Sequence, residues 1–151
     1  MTTTATPTPL ERRVDILIAH YGESHQNMTN EVIHFAAIPL IMLSLCGLLF
    51  AMHPWAAYAF IAASMVYYAR LSWVFFGLMC AWSALIIAIL HAMGTQVMEL
   101  SIAIFIGAWI AQFIGHKIEG KKPSFFEDIQ YLWVGPLFVL SKLLGKLGVR
   151  W

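Results

Sequence analysis

From Val32 to Met52 the chain carries no Asp, Glu, Lys or Arg. That run has about the ~20 residues a helix needs to cross a hydrocarbon core of roughly 30 Å. It constrains the fold strongly, because in lipid each backbone N–H and C=O must be satisfied within its own segment, and an isolated apolar segment does that as a helix. Composition points the same way: 60% of the residues are hydrophobic and 11% charged, against roughly 45 to 50% apolar in soluble domains. With a mean hydropathy of +0.74, the expected fold is all-α, a polytopic membrane protein.

Three further apolar runs follow. His53-Pro54 predicts a tight turn into a short span from Trp55 to Ala69, and Leu71 to Met93 forms a third. Gly94-Thr95-Gln96 turns the chain into a fourth span, Val97 to Ile114. Pro39 lies inside the first span, where a kink is expected just beyond His34. The flanks differ from the spans. Residues 1–9 are Thr- and Pro-rich and read as a disordered tail, with no basic stretch or apolar core of a signal peptide. Residues 10–30 mix Leu10, Val14, Ile16, Leu17, Ile18 and Tyr21 with charges, as an N-terminal interfacial helix does. At the C-terminal end, Lys142, Lys146 and Arg150 recur every four residues and predict a second interfacial amphipathic helix within Tyr131 to Trp151, broken near Gly135-Pro136 from the residues before it. Residues 10–151 thus form a single four-span domain.

Charge tests that count. With four spans, Arg12, Arg13, Arg70, Lys117, Lys121, Lys122, Lys142, Lys146 and Arg150 all fall on one face, and the turns on the other carry no Lys or Arg. The positive-inside rule assigns the basic face, with both termini, to the cytoplasm, at a bacterial inner membrane or the endoplasmic reticulum. A net charge of +1 provides no basic field for nucleic acid. Cys46 and Cys80 lie within apolar runs, where a thiol acts as a small hydrophobe.

The same topology sorts the histidines. The stretch His20 to His34 precedes the first span, and the second polar stretch, Gln112 to Pro123, ends the fourth, so His25, His34 and His116 meet at one face. Imidazole ligates iron, zinc, copper and nickel, and three such donors converging at about 2 Å make a site. His20 is a possible further ligand. Asn30 precedes His34 by four residues and Gln112 precedes His116 by four, so each amide shares a helix face with an imidazole it can orient. Glu119, one turn after His116, offers a carboxylate ligand or an acceptor for a ring N–H. His53 and His91, at the far end, read as helix-terminus partners. Trp82 and Trp109 read as packing, Lys121 and Lys122 as headgroup contacts, and Tyr67, Tyr68 and Trp73 as an interfacial aromatic belt. The donors suit Fe(II) oxygen chemistry and zinc nearly equally, so a zinc-dependent membrane hydrolase and a non-enzymatic scaffold stay open beside an oxygenase.

His25-x-Asn27-x-x-Asn30-x-x-x-His34 before a Pro39-containing span, then Trp109-x-x-Gln112-Phe-x-Gly115-His116 with Glu119 and Pro123, resemble the Mpo1-like family, also called DUF962, over about residues 14 to 148. The yeast-type motif has its acid four residues after the second-block histidine; here Glu119 stands three after His116. The resemblance implies an Fe(II)-dependent dioxygenase of fatty-acid α-oxidation, with dioxygen as co-substrate. Its substrate would be a 2-hydroxy fatty acid, drawn from the lipid bilayer and shortened by one carbon.

Overall fold

A computed structural model describes residues 13–23, 25–120 and 131–151. These form α1 (Arg13–Gly22), α2 (Met28–Met52), α3 (Pro54–Leu71), α4 (Trp73–Met93), α5 (Val97–Glu119) and α6 (Val134–Lys146), with a single 3-10 turn, Gly94–Gln96, before α5. No strand occurs among the described residues. By length and composition, Met28–Met52 and the stretch Trp73–Glu119 are apolar enough to cross a membrane; α3 is not among them.

The helix ends have local causes. His53 is at once the last cap of α2 and the first of α3: its N–H reaches the Leu49 carbonyl at 2.9 Å, while its Nδ1 accepts from the Trp55 amide at 3.3 Å. Pro54 takes the first helical position, where a missing N–H is harmless. Gly94, at φ +55°, reverses the chain between α4 and α5 in a conformation that other residues avoid. The expected N-terminal helix over residues 10–30 is shorter than the pattern suggests. It ends at Gly22, and α2 starts after Asn27, whose side chain accepts from the Thr29 amide at 2.9 Å. His25 consequently lies in the connection and not on a helix.

α2 is the axis of the bundle. A Cβ on Gly47 would collide with Ser101 Oγ, and one on Gly115 with Asn30 Oδ1, so α5 runs antiparallel to α2 and approaches it closely at both ends, as small residues permit in membrane bundles. Leu90 of α4 lies beside the same Gly47, which places both arms of the Gly94 hairpin against α2. Cys80 Sγ and Met65 Sδ, 3.6 Å apart, join α4 to α3.

The C-terminal segment departs from the expected interfacial helix. Val134, Leu137 and Phe138 are 4%, 0% and 2% exposed, packed against α1, α2 and α4 residues including Val14, Tyr21, Ile38 and Met79. Its apolar face is buried in protein rather than lipid, while Lys142 and Lys146 stay exposed. Pro136 sits in the first turn of α6, so Gly135-Pro136 opens the helix. Trp133 Nε1 donates to Ser64 Oγ at 2.8 Å and the Tyr68 hydroxyl donates to the Trp133 carbonyl at 3.1 Å. Tyr68, assigned by sequence to an aromatic belt, is therefore fully buried core, whereas Trp73 is 75% exposed, as a belt residue is. The tail at residues 1–9, with Arg12 and Lys121, Lys122 and Pro123, lies outside the described residues.

Candidate metal centre

Where α2 begins and α5 ends, three imidazoles from three segments converge. His25 comes from the connection after α1, His34 from the second turn of α2 and His116 from the last turns of α5; they are 5%, 0% and 6% exposed. Ring centroids are 4.3 Å apart for His25 and His34, 5.1 Å for His34 and His116, and 6.0 Å for His25 and His116.

Two of the rings are held through the backbone. His25 Nδ1 lies 2.9 Å from the Tyr21 carbonyl and His34 Nδ1 lies 2.9 Å from the Asn30 carbonyl. A carbonyl oxygen can only accept, so each ring carries its proton on Nδ1, and the neutral ring keeps its lone pair on Nε2. That is the tautomer a metal ligand needs, fixed by a backbone carbonyl four residues earlier. The orienting group expected for His34 was the Asn30 side chain; the Asn30 main chain serves instead.

The Asn30 side chain has other work. Glu119 Oε1 accepts from the Gln26 and Asn27 amides at 2.9 and 3.1 Å, and Oε2 accepts from the Asn27 amide at 2.9 Å and from Asn30 Nδ2 at 3.1 Å. In place of the expected ligand or imidazole acceptor, Glu119 is a latch: from the polar last turn of α5 it grips the first turn of α2 and the connection carrying His25. Burial opposes its charge, but the Asn27 and Gln26 amides and the Asn30 side-chain amide hold its carboxyl below the usual range.

Tyr21 and Phe138, to which the sequence reading assigns no role, complete the setting of His25. Tyr21 stacks on the His25 ring at 4.3 Å and 17°, and Phe138 lies 5.2 Å from Tyr21 and 5.7 Å from His25. The four-residue step from Tyr21 to His25 was a visible signal; the Phe138 contact, from the other end of the chain, was not. Gln112 is buried within one turn of His116. His20 does not join the group: it is exposed and lies 3.4 Å from Glu23. The far-end histidines behave as helix-terminus partners, His53 as a cap and His91 with Nε2 3.1 Å from the Tyr58 hydroxyl.

An imidazole bound at about 2 Å has its ring centre about 3 Å from the ion, so rings sharing one ion have centres no more than about 6 Å apart. The three separations fall within that limit, and the tautomers suit a borderline divalent cation. The rings are nonetheless not a finished coordination shell: among the described residues no group of three or more His, Cys, Asp or Glu is arranged to hold a metal ion. By donor type alone they suit such an ion.

A family model described as 2-hydroxy-palmitic acid dioxygenase Mpo1-like matches residues 12–147. No curated protein and no solved structure matches the chain.

Proposed function

The chain belongs to the Mpo1-like family, and on that premise we propose that it is an Fe(II)-dependent dioxygenase that shortens 2-hydroxy fatty acids by one carbon at a membrane face. The observation that carries this reading is the convergence of three buried imidazoles, two with Nδ1 protons committed to backbone carbonyls. His25, His34 and His116 would hold the iron, which when bound supplies the redox chemistry by which dioxygen oxidises the hydroxylated carbon. The carbon–carbon bond between C1 and C2 breaks, C1 leaves as carbon dioxide, C2 becomes the new carboxyl carbon, and one dioxygen takes up the four electrons, with one water formed.

The rest of the reading concerns what the chain's own residues do. Tyr21 and Phe138 exclude water from one side of His25 and fix its plane. Glu119 ties the connection carrying His25 to α5, so that all three rings are presented together. An apolar groove of about 120 Å³, lined by Ile38, Leu78, Met79, Trp82, Val139 and Leu140 among others, lies beside α2 one turn beyond His34 and suits part of an alkyl tail. Lys117, exposed at the same end of α5, would draw the carboxylate. In this reading α2 to α5 all cross the bilayer, and the basic face with both termini is cytoplasmic.

The test is direct. Protein stripped by chelator and resupplied with Fe(II) should consume dioxygen and shorten 2-hydroxy fatty acids. Oxygen-independent activity restored by zinc would replace this reading with a hydrolase, and a preparation that binds no metal would leave a membrane scaffold.

A further inference from the structure

Beside the segments that carry the histidines lies a narrow cavity whose walls include Tyr21, Ile38, Ile41, Trp109, Gln112 and Tyr131. Three of these stand four residues from a candidate ligand: Tyr21 before His25, Ile38 after His34 and Gln112 before His116. Among walls that also carry two tyrosines and a tryptophan, Gln112 contributes the side-chain amide. It is 3% exposed, and its buried Oε1 has no hydrogen-bond partner among the described residues.

A buried amide oxygen in a mostly apolar cavity is unfavourable unless something supplies a donor. A fatty acid at neutral pH supplies none, because its carboxylate only accepts. A 2-hydroxy acid brings one donor, its hydroxyl. We propose that Gln112 is the specificity-determining residue that reads this hydroxyl, its Oε1 accepting the hydroxyl hydrogen bond while the carboxylate stays on the histidine side. The inference rests on the dioxygenase reading and deepens it: the amide makes the enzyme one for hydroxylated chains, since a site built to hydrogen-bond a hydroxyl rejects the analogue that lacks it.

The full chain, loaded with Fe(II) in lipid nanodiscs under nitrogen so that no turnover occurs, is titrated calorimetrically with three probes. These are 2-hydroxyhexadecanoic acid, hexadecanoic acid and 2-methoxyhexadecanoic acid, the last keeping the oxygen but not the donor. Wild type should prefer the hydroxy acid over the methoxy acid by about tenfold. In Gln112→Met, of similar shape and without an unmet acceptor, the preference should vanish while the melting temperature does not fall. Gln112→Glu, which retains an acceptor oxygen, should keep part of it. An unchanged preference in a folded Gln112→Met, or a wild type that binds the methoxy acid as tightly, overturns the role of Gln112 and leaves the dioxygenase reading standing. Absence of both acid binding and oxygen-dependent chain shortening overturns that reading, and this inference with it.

Discussion

The two ends of the bundle each carry histidines, and they use them differently. At one end His25, His34 and His116 are buried, come from three segments and lie ring to ring. At the other, His53 caps two helices and His91 meets Tyr58 at an exposed position. Residue type and helix-end location are common to both. What separates them is convergence from distant segments together with backbone carbonyls that set the tautomer, so burial and orientation, not the presence of imidazole, mark the candidate site.

Substitution at the two ends should break or sharpen that contrast. His25→Ala, His34→Ala and His116→Ala should each lose stoichiometric iron by elemental analysis and at least about a hundredfold in activity, since even groups behind the ligands are worth 10–100-fold. His53→Ala and His91→Ala should retain both, and iron loss in His91→Ala would erase the distinction. Next come the close approaches. Gly115→Ala should cost about 1–3 kcal/mol by overpacking against Asn30 and should also weaken iron binding, because Asn30 holds Glu119. Gly47→Ala, colliding with Ser101 at the far end, should lower the melting temperature alone.

Smaller effects belong to the latch. Glu119→Gln should cost about 1 kcal/mol, as loss of a helix-start acceptor does, and blunt the pH response of stability. Because the folded protein holds the Glu119 carboxyl below its ordinary value of 4.5, this contribution is fully present above that value and is lost as pH falls through the lower folded one. A melting curve against pH should therefore drop on the acid side in wild type and less so in the variant. Smallest of all, removal of the His53 cap should cost under about 1 kcal/mol in chemical denaturation.

Helix positions were largely legible where an apolar run ends in a residue with a local preference, His53-Pro54 and Gly94; the break at Asn27 was not, because the mixed polar and apolar pattern of residues 10–30 runs across it. The convergence of His25, His34 and His116 was legible too, since antiparallel pairing of the first and last long apolar runs forces their polar ends together. The use of Glu119 was not, because its acceptors' partners are main-chain amides of Gln26 and Asn27, and a side-chain pattern says nothing of where a loop amide points. Nor was the burial of α6. Lys142 and Lys146 mark an exposed face, but the opposite apolar face looks the same in sequence whether lipid or Tyr21 and Ile38 cover it.

Phe138 has a consequence for how the protein is made. His25, near the beginning of the chain, is braced by Tyr21, and both rings rest on Phe138 in the final helix. During translation His25 emerges more than a hundred residues before Phe138, so the His25 ring lacks this brace until α6 has been made. On the proposed reading iron would therefore be held only after α6 has packed, and a ribosome-stalled chain ending before Phe138 should carry all three histidines yet retain little metal.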